Sequence, residues 1–184
     1  MRAPIAPALL FAITLAACAG GASTATGPAA TGEAAAAVTA ARGDASKARP
    51  LTGRCELSFP APPLPLPPLL HQIDVGTCQL SQLGRTAFYG EQVINFAAGT
   101  QSGERTLTAA NGDVLRAVHA GTSWPSGPGQ ISFVTTMTFV GGTGRFAHAT
   151  GQAHGEGTAS LITHSTSVTL DGWIAYDASE RSDR

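Results

Sequence analysis

Charge is scarce in this chain. Asp, Glu, Lys and Arg together make up 12% of its 184 residues, and the two signs nearly cancel at a formal net charge of −1. Without a basic stripe there is no electrostatic footprint for nucleic acid, which is excluded as a partner. Aromatic residues are also few, at 6%, so a core has to be assembled from Val, Ile and Leu with a handful of Phe. No GxSxG elbow occurs, and no Ser/His/Asp set stands out by local context, so no catalytic residue is assigned. What the chain has instead is 22 glycines and 12 prolines, a composition of turns and short connections with little helix.

The N-terminus reads as an export signal. Arg2 supplies a positive n-region, and Ile5 to Ala16 form an apolar run of about a dozen residues, shorter than the ~20 needed to span a bilayer. The run ends in Leu15-Ala16-Ala17-Cys18, which resembles the bacterial lipobox, where small residues precede a cysteine that is acylated and becomes the new N-terminus. Cys18 is therefore the expected lipidation site, residues 1–17 the signal peptide, and the membrane a partner through the lipid anchor. Gly20, and no aspartate, stands two residues beyond Cys18, which in enterobacterial-type sorting implies the outer membrane, with the protein facing the periplasm. From residue 18 to 50 the chain is rich in Ala, Gly, Ser and Thr. Such a stretch cannot bury enough apolar surface to offset its ordering entropy, and it is read as a flexible tether.

The domain follows over 51–177, with a charged tail at 178–184. Strand-like runs occupy Leu51–Phe59, Leu69–Leu80, Leu83–Phe96, Glu104–Ala110, Asp113–Ala120, Gln130–Val140, Thr150–Ile162 and Thr163–Tyr176. Phe88, Gly90 and Val93 interrupt simple alternation in the third run and predict a bulge or strong coiling near Gly90. Asn111-Gly112 between two runs is a strong hairpin signal. Thr122–Gly129 (TSWPSGPG) reads as a loop by every local criterion. The proline-dense segment 60–68 must be extended; it is either a stiff rim loop or a docking segment for an SH3-like groove. About eight strands at roughly 10–15-residue spacing make an antiparallel sandwich or a closed barrel, whose interior at eight strands takes side chains or one small ligand.

Cys55 and Cys78 lie on the first two runs, across the proline-rich connection, and in an oxidising compartment they are expected to form a disulfide. Gly142-Thr143-Gly144-Arg145-Phe146-Ala147 has the form of a dinucleotide fingerprint, but the Gly-rich continuation cannot supply the helix that the pyrophosphate requires, so no nucleotide cofactor is expected. His148 and His154 share a parity, yet a metal site would need a third ligand such as Glu156, and none is assigned. Tyr89, Glu91 and His119 are the polar residues expected to enter a barrel interior as ligand-binding groups. A carboxylate there would have its pKa raised and could serve as acid or base. Alternation leaves the outer face open to all three.

Phe139-Val140-Gly141-Gly142-Thr143-Gly144-Arg145-Phe146, followed by Ala149-Thr150-Gly151, resembles the GGTGxF-x-x-A-x-G signature of dirigent proteins and allene oxide cyclase-like barrels. Leu83-Gly84-Arg85-Thr86 is similar to a GRAxG strand of dirigent proteins but departs from it at Ala87-Phe88, where a glycine is expected. The resemblance implies an all-β fold, an eight-stranded antiparallel calycin-like β-barrel, with Gly141, Gly142, Thr143, Gly144, Phe146 and Gly151 as its structural turn. It also implies an apolar cavity and, as in plant members, assembly as a homo-oligomeric trimer. Three functions follow as expectations. The first is a cell-envelope lipoprotein whose barrel binds a small apolar ligand or serves as a structural module. The others are a cofactor-free isomerase or cyclase, and an interaction module working through residues 60–68.

Overall fold

The computed structural model describes residues 47–177. Cys18, the signal-like segment 1–17, the stretch 18–46 and the tail 178–184 lie outside the described residues. Eight strands run in order as β1 (Arg49–Ser58), β2 (Leu69–Leu80), β3 (Gly84–Asn95), β4 (Thr100–Ala109), β5 (Val114–Gly127), β6 (Gln130–Gly142), β7 (Thr150–Ser160) and β8 (Ser165–Ala175). Each pairs antiparallel with its neighbours in sequence, and β8 pairs with β1, closing the barrel. Closure leaves no strand without two neighbours, although Leu69–Asp74 of β2 and Ser123–Gly127 of β5 are paired on one side only.

Alternation decides which side chains fill the interior. On β3 the inward row is Thr86, Phe88, Gly90, Gln92 and Ile94, while Arg85, Ala87, Tyr89 and Glu91 face out. On β7 the inward row opens with Gly151, Ala153 and Gly155, small residues that leave volume for Met137 and Phe139 of β6 and Leu170 and Ile174 of β8. Three connections and both ends of the described chain lie at one end of the barrel. Leu51, Leu80, Leu107, Leu115, Phe139, Phe146 and Ile174 pack this end solid. Each such side chain contributes about 1.5–3 kcal/mol on burial.

The GGTGRF segment is the plug of that end. Gly141 and Gly144 hold φ of +96° and +53°, the left-handed region that glycine enters without cost. A single 3-10 turn, Gly144–Phe146, then drops the fully buried Phe146 ring into the barrel, 5.2 Å from the ring of Tyr176. Thr143 ties the plug to the start of β5, its amide donating to Val114 O at 2.8 Å and its hydroxyl accepting from Val114 N at 2.9 Å. The Asn111-Gly112 reversal between β4 and β5 forms as expected, with Gly112 at φ +87°.

Two expectations need correction. Pairing of β2 with β3 and of β3 with β4 runs unbroken through Gly90, so no bulge lies there; the irregularities fall in the β5–β6 pairing, at Leu115/Ala117 and Pro125/Gly127. Nor is Thr122–Gly129 a loop, because β5 continues to Gly127 and pairs Thr122 through Pro125 with Val134 through Ile131. The pairing of β5 with β4 stops at Thr122, so Pro125 occupies a stretch where only one edge is hydrogen-bonded, the position in a sheet that tolerates a residue without N–H.

Cys55 and Cys78 stand directly opposite each other on β1 and β2 and are bridged, both buried inside the barrel. The bridge spans 23 residues of sequence, and restricting the unfolded chain to that extent contributes on the order of 3 kcal/mol. Urea unfolding with and without reductant is expected to differ by about that amount; superimposable curves would contradict a stabilising bridge.

Candidate functional site

Above the packed end, the inward rows of four adjacent strands turn polar. Asp74 on β2 is almost fully buried and accepts two amide hydrogen bonds, from Gln72 Nε2 at 2.8 Å and from Gln92 Nε2 at 2.7 Å. Arg105 on β4 donates from Nη2 to Gln92 Oε1 at 2.9 Å, and its Nη1 stands 3.6 Å from Asp74 Oδ2. The Gln92 amide therefore sits between the two charges, donating to the carboxylate and accepting from the guanidinium. The guanidinium also lies 5.5 Å from the centroid of the Phe88 ring. Burial pushes the Asp74 carboxyl above the usual range, with Arg105 and Gln72 acting against it, and lowers Arg105 to about 10, so the arginine keeps its charge at neutral pH.

Gly90 explains how so long a side chain fits. It pairs with Arg105 across the β3–β4 ladder, and a Cβ at position 90 would meet Arg105 Nη1 and would lie 2.8 Å from its Cδ. The glycine thus makes space for the guanidinium to cross the lumen, which is the physical reason for the break in apolar alternation that the sequence displays there.

On β5, His119 is 4% exposed and its Nδ1 lies 3.0 Å from Thr135 Oγ1. The Thr135 hydroxyl donates to Ala120 O at 3.1 Å, so it must accept from His119, which sets the proton on Nδ1. Nε2 is then a buried acceptor without a hydrogen-bond partner, and Arg105 Nη1, though ion-paired with Asp74 Oδ2, is a buried donor that makes no hydrogen bond. Burial, with the Arg105 charge in support, lowers the His119 pKa to about 3, and the imidazole is neutral.

A cavity of about 60 Å³ extends from this polar floor to the other end of the barrel. Gln72, Asp74, Gln92, Gln101, Arg105, Ser123, Thr135 and Thr166 form the polar part of its wall, and Leu57, Phe59, Phe96, Phe133, Met137 and Leu161 are among its apolar residues. Ligand pockets for drug-sized molecules run to about 300–1,000 Å³, so this lumen in its present shape admits a slender group of a few atoms. The chemistry is that of a largely apolar sleeve with hydroxyl and amide groups in its wall and a guanidinium and a carboxyl at its base.

Of the three candidates read from the sequence, the barrel brings only His119 inside. Tyr89 and Glu91 stand on the outer wall of β3, where the Tyr89 hydroxyl donates to Glu91 and its pKa is raised by that bond. They fall outside because Phe88, Gly90 and Gln92 take the inward parity of that strand. His154 pairs with Glu156 at 3.2 Å, also on the outer wall, and His148 lies in the exposed β6–β7 connection. Among the described residues no group of three or more His, Cys, Asp or Glu is arranged to hold a metal ion. Asp74, Gln92 and Arg105 were missed, although one signal pointed to Asp74. It shares strand parity with Cys78, Leu70 and Leu80, so a bridged interior Cys78 puts Asp74 inside as well.

Comparison with protein-family models, with curated proteins and with solved structures gave no match. What the site does has to be argued from its own residues.

His119 makes stability depend on pH in a defined window. The unfolded imidazole takes its proton near pH 6.5, whereas the folded one resists until about pH 3. The stabilisation is therefore complete above pH 6.5 and declines as pH falls from 6.5 towards 3, by on the order of a few kcal/mol. The raised Asp74 pKa acts in the opposite sense, since the folded form binds that proton first. Urea midpoints measured across this range for wild type and His119→Gln separate the two: the wild-type slope should exceed that of the variant, and parallel profiles would contradict a buried neutral histidine.

Proposed function

We propose that this chain is a cell-envelope lipoprotein whose barrel receives a small, mainly apolar molecule in its lumen. The observation that carries the reading is Arg105 Nη1 at the base of the cavity, a buried donor that makes no hydrogen bond and whose ion-pair contact with Asp74 Oδ2 is 3.6 Å long. A buried donor left without an acceptor costs about 1–3 kcal/mol, and more for a charged group, so a site that retains one has a use for an acceptor oxygen arriving from outside. The occupant is slender, with its oxygen at Arg105 and its hydrocarbon part against Leu57, Phe133 and Met137. The lipobox-like Leu15-Ala16-Ala17-Cys18 supports the anchor, and acyl chains there would contribute about 0.8 kcal/mol for each methylene buried in the bilayer.

A second reading is favoured by Asp74. A carboxyl whose pKa is raised by burial, beside a cation and within the cavity wall, suits proton transfer on a bound molecule. On this reading the barrel is a cofactor-free isomerase or cyclase, and the captured molecule leaves rearranged.

Native mass spectrometry of the protein extracted from membranes tests both halves of the first reading. The expected spectrum shows a mature chain starting at an acylated Cys18 and carrying a non-covalent lipophilic adduct that Arg105→Met loses. An unmodified N-terminus together with a barrel free of adduct would overturn it, and an adduct recovered in two isomeric forms would favour the second reading.

A further inference from the structure

The two ends of the barrel differ in kind. The packed end carries Lys47, Arg49, Arg85, Asp113, Arg145 and Asp177 on or beside its connections. The open end is built from four segments, 59–69, 96–99, 123–131 and 160–165, and none contains Asp, Glu, Lys or Arg. On that uncharged rim stand Leu64 and Ile162, 84% and 70% exposed, with Leu69 at 55% and Trp124 at 46%. The first two are the most exposed large apolar side chains among the described residues. Elsewhere the outer wall mixes its apolar residues with charge: Ile73 pairs with Glu91, and Val118 with Glu104.

We propose that this rim is a docking surface for the uncharged interfacial zone of a lipid bilayer, so that the mouth of the lumen opens against the membrane. Exposed leucine, isoleucine and tryptophan without neighbouring charge are the side chains that gain from entering the acyl–headgroup boundary, where the indole keeps its N–H among polar headgroups. The backbone of the longest rim segment is suited to the same place. Pro60, Pro62, Pro63, Pro65, Pro67 and Pro68 carry no N–H, so few donors have to be withdrawn from water. With no cation on the rim, the attraction is hydrophobic and does not need anionic lipid.

The inference rests on the described residues and stands whether or not Cys18 is acylated.

The two tryptophans of the chain provide the test, since Trp124 is on the rim and Trp173 is on β8 beside Pro50, near the packed end. Full-length Trp173→Phe and Trp124→Phe proteins are mixed with phosphatidylcholine vesicles containing acyl-brominated phosphatidylcholine. Trp124 emission is expected to shift to the blue and be quenched, at low and high salt alike, while Trp173 is unaffected. Leu64→Asp with Ile162→Asp, both too exposed to disturb the core, should lower the engaged fraction of mouths about a hundredfold and bring Trp124 quenching down to the level of Trp173. Because the readout compares the ends of one molecule, an anchor at Cys18 does not decide it. Three results overturn the proposal: equal or absent quenching at the two positions; quenching that requires anionic lipid and disappears in salt; or a lipid-free dimer by sedimentation in which Trp124 is shielded from aqueous quencher, which would make a second copy the occupant of the rim.

Discussion

A carboxylate and a guanidinium held inside a barrel, with an amide between them, are the constraint to which the rest of the interior conforms. Removing such ions from water costs several kcal/mol each even after relaxation. Asp74 and Arg105 stand 3.6 Å apart, so direct attraction alone does not offset that cost, and the Gln72 and Gln92 amides supply the remaining hydrogen bonds. Gly90 lacks a side chain so that Arg105 can cross to them. The lumen around the cluster stays incompletely filled, whereas the opposite end is packed solid by Phe146 and its neighbours. A barrel selected for stability alone would have Leu or Met at these positions, which is why the cluster reads as a site.

Its placement also gives the barrel a direction. At the packed end the plug, the β4–β5 reversal and both ends of the described chain meet, and the Arg145 guanidinium covers the Phe146 ring with its centre 4.6 Å from the ring centroid. At the other end the connections carry no formal charge, and the cavity wall runs up to Phe59, Phe96 and Leu161. An amphipathic occupant entering there would pass Phe59, Phe96 and Leu161, with Gln101 and Ser123 beside them, before it reached the cation. That order matches a molecule arriving from a lipid phase with its polar atom leading.

Much of the architecture was legible in the residues. Asn111-Gly112 and Gly141-Gly142-Thr143-Gly144 specify reversals through backbone conformations that few other residues adopt, and β2 runs over Leu69–Leu80, the span its alternation predicts. Cys55 and Cys78 were legible as a pair because they flank one connection. Segments whose outcome depends on a neighbouring strand were not legible. Thr122 to Gly127 has loop composition but is held as strand by β6, and Gly90 looked like a bulge because its reason is an arginine on another strand. The site failed to show for the same cause. Asp74, Gln92 and Arg105 are far apart in sequence and share only an inward parity, and a single parity error on β3 put Glu91 where Gln92 belongs.

The most direct test of the account is the stability of a barrel whose polar cluster is replaced by hydrocarbon, Asp74→Leu with Gln92→Leu and Arg105→Met. If the cluster is kept for an occupant, this protein unfolds at the same or a higher urea concentration than wild type, since well-packed apolar residues commonly match or exceed a buried ion pair. A loss of about 3–5 kcal/mol, the size expected when a needed buried pair is broken, would show that the cluster holds the barrel together, and the case for a ligand at Arg105 would fall with it.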